Sequence, residues 1–236
     1  MAWEAAFRRT HRIATLVVGL QLLVWTATGF AFSWFDFDAV RGAGDRAAPA
    51  ALDPAAAKLS AADAVARART LPNNDKSLLT AVELRERLGR ASWIVRFAQS
   101  DPIIVDALDG SIAAPLSPEQ AAEAARAAHR EHPPLVEVAR ITEPRAAPDL
   151  DVPVYRVRLA DRRATDVFIA PATGEIVAWR NSRWRWFDAL WSLHVMGYIR
   201  RDHPAHTAMR LAAALALFAV LTGAGLLFST VRRKRR

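Results

Sequence analysis

Two stretches of the chain run without a charge for long enough to cross a lipid bilayer, and the sequence between them alternates and repeats as a folded domain does. Residues 13–35 (IATLVVGLQLLVWTATGFAFSWF) carry no charge. As a helix rising 1.5 Å per residue they cover about 34 Å, against about 30 Å of hydrocarbon. A cleaved export signal has a shorter apolar core, about 7–15 residues, ending in a small-residue site. This run instead closes on Phe32, Trp34 and Phe35, rings suited to a membrane interface. It is read as an uncleaved anchor. Residues 207–231 form a second span, with Arg210 near enough its end to reach water.

Residues 36–58 are rich in Ala, Gly, Pro and Asp without periodicity and read as a linker. A repeat follows. LSAADAVARARTLP (59–72) and LSPEQAAEAARAAH (116–129) each open on Leu-Ser and continue as an Ala-rich helix. Ser60 and Ser117 are placed as N-caps, with Asp63 and Gln120 three residues on to close capping boxes. After each helix come strand signals. In 59–115 they are LLTAVELRERL, SWIVRFA and DPIIVDAL, closed by Asp109-Gly110; in 116–180 they are LVEVARIT, PVYRVRLA and TDVFIA, then Thr173-Gly174 and EIVAWR. In Val154–Leu159 and Thr165–Ile169 apolar and polar positions alternate, which gives those strands one buried and one wet face. These are two copies of a small α+β module.

From residue 181 the period changes to that of a helix. Trp184, Phe187, Leu190 (or Trp191) and His194 share one face, so 181–206 reads as an amphipathic, Trp-rich interfacial helix and connector. Composition then settles orientation. The net charge is +8, and its excess lies at Arg8, Arg9 and Arg12 before the first span and in the tail 232–236 after the second. Basic residues flanking spans mark the cytoplasmic side, so both termini are expected there and the central domain in the periplasm. Nucleic acid is excluded as a partner on the same ground. There is no cysteine, which excludes disulfides, iron–sulfur clusters and a thiol nucleophile.

The segments RRTHRIATLVVGLQLLVWTATGFAFSW, TDVFIAPATGEIVAWR and LWSLHVMGY, in that order, resemble the PepSY-associated transmembrane family of bacterial inner-membrane proteins. The resemblance covers the whole chain except the linker. It implies an α+β fold: a two-helix transmembrane hairpin carrying a periplasmic domain of two PepSY-like modules, each a helix with an antiparallel sheet. Some larger members of the family resemble ferric-siderophore reductases with b-type haem, and others are fused to flavin reductase modules. This chain is smaller, with two spans instead of four and no Gly-rich flavin or nicotinamide fingerprint. PepSY modules also occur in protease propeptides, which implies a second class of role, a cofactor-free interaction or peptidase-regulating module.

Candidate chemistry rests on histidine. His11 lies at the inner mouth of the first span, and His194, His203 and His206 cluster near the outer mouth of the second. Facing imidazoles on helices can ligate haem iron axially in an apolar pocket. His194 and His206 are expected to do so, with Trp184, Trp191, Met196 and Tyr198 as walls. His11 would form a second site, completed by the same histidine of a second protomer or by a separate subunit. The reading is therefore of a haem b component of a ferric or flavin-linked electron-transfer system, as a homodimer or with a partner membrane subunit. His203 and His206 make a His-x-x-His pair, but Pro204 between them and the lack of a third ligand argue against a metal site. His129 and His132 are expected at a solvated helix end.

Overall fold

A computed structural model describes residues 2–48, 51–72, 77–98, 100–147, 149–195 and 204–234. The chain forms two bodies, Met1–Phe37 with Trp184–Arg236, and Asp38–Arg183.

The first body is built on α1 (Ala2–Phe32) and α6 (Pro204–Lys234), each of 31 residues. Along α1 the inward positions are Phe7, His11, Ala14, Val18, Gln21, Trp25, Thr28 and Phe32, all buried or half-buried. Their spacing alternates four and three residues, the seam of two helices packed at a shallow angle. The facing seam of α6 carries Ala212, Leu215, Ala219, Thr222 and Leu226. Small side chains are buried in the seam, Ala14 at 5% exposure and Ala219 at 8%, as expected where no hydrophobic drive separates helix from lipid. The outward faces are different. Leu16, Leu20, Leu23 and Phe30 are about two-thirds exposed. That much bare apolar surface is stable in hydrocarbon and would aggregate in water. Both helices are long and apolar enough to span a membrane. A third helix, α5 (Ser182–His194), packs on α1 through rings. Phe187 meets Phe32, Phe35 and Phe37 at centroid separations of 5.2, 5.7 and 5.4 Å.

The second body begins with a short helix, α2 (Phe37–Val40), then repeats one module twice. In the first, α3 (Ala61–Arg69) lies on a sheet of β1 (Leu79–Arg87), β2 (Arg90–Phe97) and β3 (Ile103–Asp106), antiparallel in that order. In the second, α4 (Pro118–Ala127) lies on β4 (Leu135–Ile141), β5 (Val154–Leu159), β6 (Asp166–Ile169) and β7 (Ile176–Arg180). A single bridge, Val105 to Ile112, stands in the first module where β7 stands in the second. The expected hairpin turns are present, with Gly110 and Gly174 at φ of +75° and +79°.

Each helix is held by its start and by its alanines. Ser60 accepts from the amide of Asp63, and the Asp63 carboxylate accepts from the amide of Ser60; Ser117 and Gln120 repeat the arrangement. Ser60→Ala or Ser117→Ala should each cost about 1 kcal/mol, read as a lower urea midpoint with unchanged slope. Ala64 and Ala68 are fully buried against Val95, Phe97 and Val105. Ala121 and Ala125 are likewise buried against Tyr155, Val157, Val167, Ile169 and Trp179. Methyl side chains let the helix axes lie close to their sheets.

The stretch read as a linker is structured over its first half. Val40 is buried. Arg46 pairs with His129 in an isolated bridge, and the amide of Ala47 donates to the carbonyl of Ala128 at 2.8 Å. Asp45 takes both of its carboxylate bonds from Arg163 at 2.6 Å. The Asn181 side-chain amide, fully buried, donates to the carbonyl of Ala39 at 3.2 Å. The incoming and outgoing ends of this body are thus clamped to the second module. Aperiodicity hid this, because the segment packs through single residues and not along a face.

Candidate functional site

Two of the expected histidines sit on the α1 seam side of the first body, and both are held the same way. His11 is on α1 itself; its Nδ1 lies 2.8 Å from the hydroxyl of Thr222 on α6. His194 ends α5; its Nδ1 lies 2.8 Å from the hydroxyl of Thr28 on α1. Each hydroxyl also back-bonds to its own helix, Thr28 to the carbonyl of Val24 at 2.7 Å and Thr222 to that of Phe218 at 2.8 Å. A hydroxyl has one proton to give. With that proton on the helix carbonyl, the oxygen accepts from Nδ1–H. In that arrangement both imidazoles would carry their proton on Nδ1 and present an Nε2 lone pair. That is the form in which histidine binds a metal, with the other ring nitrogen held by a hydrogen bond.

The surroundings of the two rings differ. His194 stacks on Trp191 at 6.0 Å and 21°, and meets Phe32 edge-on at 5.4 Å. Its carbonyl accepts from the indole N–H of Trp25 at 2.6 Å, which fixes the last turn of α5 to α1. Trp191 thus lies directly against the His194 ring. His11 is bordered by Gly223, where a Cβ would come within 3.1 Å of the ring Cε1. His11 and Thr28 are seventeen residues apart on α1, about 25 Å along the axis, so the two anchored imidazoles lie near opposite ends of the span.

His206 lies in the first turn of α6, but its side chain is outside the described residues, as are His203, Met196 and Tyr198. The expected facing of His194 and His206 therefore also lies outside them. Among the described residues no three histidine or acidic side chains gather as a metal site. The threonine anchors Thr28 and Thr222 were missed from sequence. A signal was there: each is a polar residue at a 4–3 seam position in an otherwise apolar span.

The reading of His129 as solvated is corrected. His129 is 2% exposed. Trp179, fifty residues further on, stacks on it at 5.8 Å and 20°. Its Nδ1 accepts from the amide of Glu131 at 3.2 Å, and its Nε2 lies 3.6 Å from the Asp161 carboxylate. His132 remains exposed as expected, its Nδ1 2.9 Å from the Arg126 carbonyl. Asp161 accepts from the amide and the hydroxyl of Thr165, each at 2.6 Å. Burial pushes this carboxyl up, but the Thr165 bonds and the nearby His129 outweigh it and hold it below its ordinary value. A depressed folded value means the unfolded chain binds the proton more readily. The stability Asp161 supplies is therefore complete above about pH 4, its unfolded value, and is lost as pH falls through the folded value. Asp161→Asn should lower stability at pH 7 and shrink the acid-side change, as followed by urea midpoints from pH 2 to 7.

No curated protein and no solved structure matches the chain. A family model does match, for the PepSY-associated TM region, and it covers residues 8–236, both spans and both modules included. The chain belongs to that PepSY-associated transmembrane family.

Proposed function

We propose that this membrane-anchored PepSY protein holds b-type haem at its spans and serves as an electron-transfer component of the inner membrane, with its modules in the periplasm. The observation that carries the reading is the matched pair of imidazoles. His11 and His194 are both held at Nδ1 by a back-bonded threonine, and with the proton on Nδ1 each Nε2 is free to donate its electron pair. That donor set fits an axial haem ligand. In this reading His194, with His206 from the start of α6, holds an outer haem. His11, with the same histidine of a second copy, holds an inner one. Haem there would supply one-electron transfer between the two faces of the membrane.

The protein's own contribution is orientation and exclusion of water. Thr28 and Thr222 set the tautomer and ring angle, and the bonded hydroxyl raises ligand basicity. Phe32 and Trp191 shield His194 from the interface. Small residues Ala14, Ala219 and Gly223 let α1 and α6 close around His11. The test is titration of the detergent-purified chain with haemin. A Soret band that saturates near three haems per two chains is expected; a rise no larger than that of detergent alone would overturn the reading.

A second reading keeps the modules and drops the cofactor. It is favoured by β4, an edge strand whose Leu135 and Val136 are 43% and 59% exposed. Such an edge can add an extended segment of a peptidase or membrane partner. The two readings separate cleanly, since His11 and His194 matter only to the first.

A further inference from the structure

The cations beside one anchored imidazole lack counter-ions. Arg8, Arg9 and Arg12 flank His11 on α1, and all three are exposed. None of them makes a hydrogen bond or an ion pair among the described residues. Elsewhere the chain pairs its arginines: Arg96, Arg156, Arg158 and Arg163 each meet a carboxylate at 2.6–3.1 Å. The two spanning helices hold one carboxylate at most for this purpose, since Glu4 is the one acidic residue in 1–35 and residues 204–236 have none. Depth adds to the cost. α1 and α6 run antiparallel, with His11 against Thr222 and Gly223. Arg8 and Arg12 then stand about level with Gly225 and Leu221, roughly 10–16 Å short of Arg232, where the basic tail begins and lipid phosphates are met. A guanidinium held deeper than that is costly unless an anion comes to it.

Helical spacing sorts the three. Arg8 and Arg12 lie on one side of His11, about 60° and 100° round the helix, while Ala14 and Val18 of the seam lie on the other. Arg9 is about 160° away, on the far face. Gly223 leaves the Nε2 edge of the ring uncovered, since a Cβ there would come within 3.6 Å of that atom. A macrocycle ligated at Nε2 has Arg8 about one turn, roughly 4.5 Å, nearer the inner end. We propose that Arg8, with Arg12, binds a propionate carboxylate of the haem that His11 ligates. This rests on the haem reading above and adds a determinant of which porphyrin the inner site accepts. Guanidinium forks take carboxylates bidentately, which suits a two-oxygen anion. Haem b carries two propionates along one edge. Two copies that each give His11 also offer one arginine pair to each propionate. A lipid phosphate has the same anionic chemistry, but only the porphyrin's carboxylates can be capped without touching the lipid.

The test uses the detergent-purified full chain carrying His194→Ala, which leaves the inner site alone. Haemin is titrated beside haemin dimethyl ester, which keeps the iron and caps both carboxylates. Haemin should saturate near one per two chains, with the ester binding about 10–100-fold more weakly, the worth of a charge-assisted hydrogen bond. Adding Arg8→Gln and Arg12→Gln together should weaken haemin by about the same factor and leave the ester unchanged. Arg9→Gln, which removes one charge from the far face, should change neither. Equal affinities for the two porphyrins, unchanged haemin binding in the Arg8→Gln/Arg12→Gln variant, or an equal loss in Arg9→Gln would overturn the inference and leave the haem reading standing. Haemin binding to the wild type but not to His194→Ala would overturn it too, by removing the inner site. Absence of binding to both would overturn the haem reading itself and the inference with it.

Discussion

His194→Ala should strip the outer haem, so that the chain purified from haem-replete cells carries at most half of the wild-type pigment. The alanine removes the Nε2 donor and also the ring that Trp191 and Phe32 pack against. Loss of packing alone could disturb the site, so Thr28→Val is the informative companion. Valine keeps the bulk and removes only the acceptor that holds Nδ1. Loss of such an outer partner typically costs 10–100-fold in affinity while leaving the ligand in place. The expected pattern is therefore reduced pigment in His194→Ala, and weaker binding with a shifted midpoint potential in Thr28→Val. Wild-type haem content in both would show that His194 is an interfacial residue only.

Gly42→Ala should destabilise the second body by about 2–5 kcal/mol. Gly42 has φ of +75°, and a Cβ there would fall on the Trp179 ring at Cδ1 and Nε1. The left-handed conformation costs a residue with a Cβ about 1–2 kcal/mol. Forcing the Cβ against a core indole adds about 1–3 kcal/mol. Trp179 cannot move aside easily. It is 3% exposed, stacks on His129, and has Arg46 over its ring at 5.2 Å. Gly44→Ala is the control, since its Cβ would meet nothing within 4 Å. Chemical unfolding followed by tryptophan fluorescence should show a large loss for the first variant and almost none for the second. Equal effects would mean that the incoming segment is not clamped on Trp179.

What the sequence could tell depended on whether a signal was local. The strands were legible because Val154–Leu159 alternates faces along one element, and the helix starts because each capping box lies within four residues. The spans were legible from length and lack of charge. The anchors of the histidines were not, because each joins residues far apart in the chain, His11 to Thr222 and His194 to Thr28. Only the 4–3 spacing of Phe7, His11, Ala14, Val18, Gln21, Trp25, Thr28 and Phe32 hinted that these polar residues share one seam. His129 misled for the same reason. Its neighbours in sequence are polar, and what buries it is Trp179 from the last strand. The linker misled because it packs through scattered residues, with Val40 buried, Gly42 beside Trp179 and Asp45 bonded to Arg163 and Arg130, instead of along a periodic face.

The claim on which the account turns is that His11 and His194 hold haem. The most direct measurement is the dithionite-reduced minus oxidised spectrum of the chain from haem-replete cells, recorded beside the His11→Ala/His194→Ala double variant at equal protein concentration. Sharp b-type bands are expected in the wild type and none in the double variant. A featureless wild-type spectrum, or identical bands in the two, would contradict it.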